Sequence, residues 1–196
     1  AFLIVGLILA VGANSYNLYM TYDYGKDSMR GKSELTDTKN NKTSGLDKDY
    51  ATAWSYGIAE TLDLFVPNFM GGASMSKLDQ NTETYKTCKK YGVSDLKNVT
   101  KSMPTYWGEQ PITSGPVYIG AVVVFLFIFG LLYVEGIAKW WLAIATLFPI
   151  LLAWGHNFMP LTDIFLDYFP GYNKFRTVSM ILVIAEFTMP LLAIFA

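Results

Sequence analysis

Hydrophobic and polar positions along this chain fall into long blocks. Ala1 to Ala13 (AFLIVGLILAVGA) is apolar, and residues 14–116 form a long polar stretch. Val117 to Val134 then runs for 18 residues without a charge. Glu135 to Lys139 reads as a tight hairpin, and Trp140 to Trp154 as a short returning span that contains Pro149. Residues 155–177 are polar again, and Val178 to Ala196 is apolar. About 20 consecutive apolar residues cross the hydrocarbon layer as a helix. The pattern therefore predicts an all-α, polytopic membrane fold of about four spans, both terminal ones truncated, with a largely helical loop region. The chain reads as a piece cut from a longer polytopic protein. Counting spans puts loops 14–116 and 155–177 on one side and hairpin 135–139 on the other.

The long loop has structure of its own. Residues 1–13 run into NSYNLYMTYDYGKDSMRG without a proline or glycine break, and Tyr16, Tyr19, Met20 and Tyr24 share one helical face. Gly31 is placed to end that helix in a left-handed conformation. Ser33 to Ser44 lacks periodicity and reads as a loop. Asp47 is a plausible N-cap for a helix carrying Tyr50, Trp54 and Tyr56. A second short helix holds Glu60, Leu62 and Leu64 and stops before Pro67. Asn68 to Ser76 is a turn, since Gly71-Gly72 permits positive φ. Residues 76–92 and 94–102 read as solvated helices. Asn98-Val99-Thr100 fits the N-glycosylation pattern, which matters only in a eukaryotic secretory setting.

Composition agrees with a membrane protein carrying one long polar loop. The chain has 196 residues, 52% of them hydrophobic and 16% charged, with a net charge of −1. Between Val117 and Trp154 the only charges are Glu135 and Lys139. A near-neutral chain is poorly suited to nucleic acid. The single cysteine, Cys88, excludes an intrachain disulfide and a thiolate zinc site. The Walker loop, the dinucleotide fingerprint, HExxH and G-x-S-x-G are all missing. No cofactor is signalled.

Candidate chemistry collects in Gly155 to Met180, which holds the only histidine (His156), Asp163, Asp167, Lys174 and Arg176, with breaks at Pro160 and Pro170. Lys174 and Arg176 beside Tyr172 and Phe175 suit a phosphate on a lipid tail, because Arg grips phosphate bidentately and Lys adds a mobile charge. Snorkelling toward lipid headgroups explains the same pair equally well. His156, with no second ligand nearby, is a weak metal candidate and reads as a phosphate contact, a base or an interfacial hydrogen-bonding group. Asp163 and Asp167, one turn apart, can do acid–base work or hold a divalent ion, and Asp163 can equally cap a helix. Glu186 lies inside the last span, where a charge normally faces a partner or a wet cavity. Arg30, Lys32 and Glu34 form a further charged cluster that an aromatic belt does not explain.

Four stretches together resemble the YfhO-type family of bacterial membrane proteins. They are SMRGKSEL, GLDKDYATAWSYGIAETLDLFVPNFMGG, YWGEQPITSGPVYIGA and WGHNFMPLTDIFLDYFPGYNKFRTVSMILVIAEFTMPLL. The likeness covers nearly all the chain, residues 77–103 least. It implies an integral-membrane glycosyltransferase of the GT-C class, multi-pass in the bacterial cytoplasmic membrane. Such an enzyme moves a sugar from a polyprenyl-phosphate carrier to an envelope acceptor such as a teichoic-acid-like polymer, a glycolipid or another glycan. It implies that both polar loops are extracytoplasmic and that the catalytic carboxylate lies upstream of Ala1. On charge, position and motif membership, Arg176, Lys174 and His156 are then expected at the donor phosphate. Arg30, Glu34, Trp54 and Glu60 are expected toward sugar or acceptor. The alternatives are a transporter or flippase using Glu186 and spans broken at Pro149 and Pro190, or a non-catalytic envelope-assembly scaffold.

Overall fold

The computed structural model describes residues 2–28, 30–31 and 45–196. Among them the chain is helical with no strand, and two isolated bridges, Gly71 to Tyr106 and Ser76 to Met103, tie the loop region. The expected loop 33–44, with Glu34, lies outside the described residues, as does Lys32.

Helix α1 (Phe2–Ala13) and helix α2 (Ser15–Lys26) meet at a 62° bend. The sequence offered no proline there, and its nearest glycine, Gly12, lies within α1. Asn14 supplies the reason: its side-chain amide donates to the Ala10 carbonyl at 2.9 Å, alongside its own backbone N–H at 3.2 Å. A short amide that bonds the preceding turn competes with the helical ladder. Nothing in either helix is buried. Helix α2 also ends earlier than expected, at Lys26. Gly31 serves a different purpose from a left-handed cap: a Cβ there would sit 1.9 Å from the Lys26 carbonyl oxygen.

The loop region is built from short pieces. Helix α3 (Lys48–Ala51) is capped by Asp47, whose side chain accepts from the Asp49 N–H. It is only four residues long, so Trp54 and Tyr56 lie beyond it. The expected short helix with Glu60 is a 3-10 segment, Ala59–Leu64. Helices α4 (Glu83–Lys90) and α5 (Leu96–Val99) carry no buried residue, as expected of solvated helices.

The packed centre is made by α6 (Ala121–Tyr133), α7 (Ala138–Ala153) and α9 (Leu182–Phe195), with α9 against both others. Its buried positions, Leu182, Ala185, Met189 and Leu192, recur every three to four residues and form one stripe. Gly130 of α6 lets Leu192 approach, since a Cβ there would meet Leu192 Cγ at 3.1 Å. The hydroxyls of Thr146 and Thr188 lie 2.7 Å apart between α7 and α9. Within an apolar medium such close contacts and interhelical hydroxyl pairs, about 0.6–2 kcal/mol each, hold helices together.

Span lengths depart from the sequence pattern. Val178–Phe195, an 18-residue unit that starts with a 3-10 turn, is long and apolar enough to cross a membrane. Two bent pairs, Phe2–Ala13 with Ser15–Lys26 and Ala138–Ala153 with Gly155–Tyr168, bring the count to three if each is one span. The expected span 117–134 is helical only from Ala121, because the Ile119 and Gly120 N–H groups are held by the Leu64 carbonyl. Thirteen residues rise about 20 Å, short of the ~30 Å layer. So the expected four spans are not reached by length and composition. Pro149 and Pro190 do not break their helices, which run through both. The break that the transport reading needed is instead at Gly155, where the chain turns by 111°.

Candidate functional site

The turn at Gly155 positions the site. Gly155 has φ +48°, and a Cβ there would lie 2.0 Å from Ser55 Oγ and 2.7 Å from Val178 Cγ2. Around it the loop region is bound to the helices. The Tyr56 N–H donates to the Ala153 carbonyl at 2.7 Å, and the His156 N–H to Ser55 Oγ at 2.8 Å. Ser55 Oγ donates onward to the Thr52 carbonyl, and Thr162 Oγ1 to the Gly155 carbonyl. His156 belongs to this knot. Its Nδ1 lies 3.2 Å from the Thr52 carbonyl and its Nε2 3.7 Å from Glu109. It is not among the residues that line the groove described next.

Helix α8 (Met159–Tyr168), started by Pro160, places Asp163 and Asp167 on one face. Both meet Lys48, at 2.5 and 3.5 Å. Burial pulls the Lys48 ammonium down, but the hydrogen bonds and charges of Asp163 and Asp167 outweigh it and leave the group raised. The two acids thus share one lysine, which pins α3 to α8. Among the described residues no cluster of three or more His, Cys, Asp or Glu side chains is arranged to hold a metal.

Beyond α8 the chain passes Gly171 (φ +81°) and the 3-10 turn Tyr172–Lys174, and delivers Arg176 to a groove of about 660 Å³. The Arg176 guanidinium lies 4.4 Å from the centre of the Trp54 ring, and its Nη1 donates to the Tyr50 hydroxyl at 3.0 Å. Trp54 is fixed in turn by Nε1 donating to the Ile112 carbonyl. Stacking of this kind is worth roughly 0.5–2 kcal/mol. Among the described residues no carboxylate pairs with Arg176 or Arg30, and both line the groove. Its lining also includes the apolar Val178, Ile181, Val183 and Ile184, from the start of the membrane-capable helix. Tyr172 lines it too, with a buried hydroxyl that has no hydrogen-bond partner among the described residues.

Arg30 and Trp54, expected toward sugar, therefore stand with Arg176. Lys174 donates to the Arg30 carbonyl at 2.7 Å and lines a neighbouring recess of about 880 Å³ beside α2. Glu186 is exposed on α9 and is not among the residues lining the groove, and its charge adds a small part to the field on the Tyr56 phenol described below.

Glu60 is elsewhere. It is 1% exposed, accepts from the Gly57 N–H at 2.5 Å and from the Tyr106 hydroxyl, and lines a separate chamber of about 170 Å³. Tyr56 and Tyr106 line the same chamber. The Tyr56 hydroxyl is buried and has no hydrogen-bond partner among the described residues. Leaving such a group unpaired costs about 1–3 kcal/mol. Burial first, then the carboxylates of Asp63 and Glu60, push the Tyr56 phenol well above its ordinary range, so it stays a proton donor. Burial and the bond to Glu60 do the same for Tyr106. The sequence reading missed Tyr56, Tyr106 and Tyr50 as site residues. The available signal was glycine: a Cβ on Gly108 would lie 2.0 Å from Glu60 Oε1, and one on Gly57 3.0 Å from Oε2.

No family model, curated protein or solved structure matches the chain.

Proposed function

We propose that this chain is part of an integral-membrane glycosyltransferase, similar to the YfhO-type, GT-C-like enzymes. It would take a sugar from a polyprenyl-phosphate carrier and pass it to an extracytoplasmic envelope acceptor, such as a teichoic-acid-like polymer, a glycolipid or another glycan. The observation that carries this reading is one groove lined both by Arg176 and Arg30 and by the apolar start of Val178–Phe195. A lipid phosphate has the same two halves. Its phosphate meets guanidinium groups with donors to offer, and its chain follows a helix suited to the bilayer.

Positive charge at that place also suits the chemistry. As the sugar leaves, the carrier phosphate gains negative charge, which fixed cations stabilise. The attacking hydroxyl needs a base, and no acid of this chain is assigned that role: Asp163 and Asp167 are held by Lys48, and Glu60 is buried. On this reading α1, α6, α7 and α9 are embedded in a bacterial cytoplasmic membrane, with residues 14–116 and 155–177, and so α2 and α8, on its outer side.

The test is sugar transfer in proteoliposomes, from a radiolabelled polyprenyl-phosphate sugar to crude envelope acceptor. Arg176→Ala is expected to lose most transfer with folding intact. Transfer that is untouched by Arg176→Ala would move the donor phosphate out of this groove, and no transfer by wild type with several donors would remove the reading.

A further inference from the structure

The chamber at Glu60 and the groove at Arg176 share one wall, Met180, which lines both. Their chemistry is opposite. The chamber is lined by Tyr56, Glu60, Tyr106, Gln110, Thr113 and Ser179, with no Lys, Arg or His in the lining. Glu60 and Tyr56 are 1% and 2% exposed. Glu60 already accepts from Gly57 and Tyr106, and each carboxyl oxygen has capacity for one more donor. The Tyr56 hydroxyl has nothing to donate to among the described residues. A chamber of about 170 Å³ far exceeds the ~10–15 Å³ that one water requires. It has room for one small ring and not for a polymer. A buried phenol and carboxyl with open capacity, beside the half-buried amide of Gln110 and hydroxyls of Thr113 and Ser179, select a partner rich in hydroxyls, and a buried acid without a base repels an anion.

We propose that this chamber binds the uncharged, hydroxyl-rich ring of the lipid-linked sugar, with Tyr56 donating to one ring oxygen and Glu60 accepting from a ring hydroxyl, and that it rejects carboxylated sugars. The proposal rests on the reading of the neighbouring groove as a polyprenyl-phosphate site.

The experiment uses the natural full-length protein in nanodiscs and three probes: polyprenyl phosphate, its neutral hexosyl ester and its hexuronosyl ester. The hexosyl ester is expected to bind about tenfold tighter than the other two, the loss of one or two good hydrogen bonds being of that order. Tyr56→Phe removes only an unpartnered hydroxyl and keeps the ring packing. It is expected to abolish most of this preference and leave polyprenyl phosphate binding unchanged, with Glu60→Gln acting in the same direction. Equal binding of the two sugar esters by wild type, or a preference that survives Tyr56→Phe, would overturn the proposal. The groove is tested separately by Arg176→Ala against polyprenyl phosphate alone. If that lipid fails to bind, the groove reading falls. Methyl hexoside and methyl hexuronoside at millimolar concentration then judge the chamber: Tyr56-dependent binding of the neutral one supports it, and no binding overturns it.

Discussion

The groove at Arg176 and the chamber at Glu60 share Met180 in their linings and differ in almost everything else. Arg176 is exposed, cationic and held by stacking on Trp54. Glu60 is buried, acidic and held by a backbone N–H and a phenol. An exposed cation can be removed at little cost to folding, because water replaces what it loses. A buried acid cannot, because its donors are left unpaired. On the proposed reading, the difference separates a binding group from a group that is both wall and binding surface.

The largest effect is expected where both regions depend on one position. Gly155→Ala forces a side chain into 2.0 Å of Ser55 Oγ at φ +48°. It should destabilise the protein by roughly 3–5 kcal/mol, from strain plus overpacking, and damage groove and chamber together; thermal unfolding reads this. Glu60→Ala comes next. It strands the Gly57 N–H and the Tyr106 hydroxyl, for about 2–4 kcal/mol of stability, and should leave lipid phosphate binding at the groove measurable. Arg176→Ala should change stability by only about 1 kcal/mol but weaken lipid phosphate binding roughly tenfold or more. Arg176→Lys should recover part of the binding and little of its geometry.

The smallest effect is a pH dependence. Lys48 is raised in the folded state above 10.5, so the stability it draws from Asp163 and Asp167 is complete below pH 10.5 and lost as pH rises through the raised value. Tyr56 is raised above 10.0, so the unfolded phenol ionises first and stability falls as pH climbs past 10.0. Chemical denaturation at pH 7, 10 and 11 should show the loss, and Tyr56→Phe should reduce it.

The groove was partly legible in the sequence and the chamber almost not. Lys174 and Arg176 are two residues apart, so their shared chemistry shows in one line of text. Arg30 and Trp54 were also singled out, but apart from Arg176 and Lys174, because the contacts joining 54 to 176 and 30 to 174 have no local signature. The membrane-capable helix from Val178 follows directly from an apolar run whose one charge is Glu186. The Asn14 bend escaped because an amide did what proline or glycine usually does. Span 117–134 was read too long because hydropathy is blind to the Leu64 carbonyl that holds Ile119 and Gly120 extended. Glu60 was noticed, but its partner Tyr106 is 46 residues away, and burial of an acid is invisible to composition.

The central claim is that a lipid phosphate lies with its head at Arg176 and its chain along the start of Val178–Phe195. Photo-crosslinking with a diazirine-tagged polyprenyl phosphate in nanodiscs, followed by peptide mapping, tests it directly. The label is expected on the segment from Phe175 to Ile184, reduced in Arg176→Ala and competed by untagged lipid phosphate but not by polyprenol. Labelling that falls mainly on Phe2–Ala13 or on the outer face of α6, unchanged by Arg176→Ala, would contradict the claim.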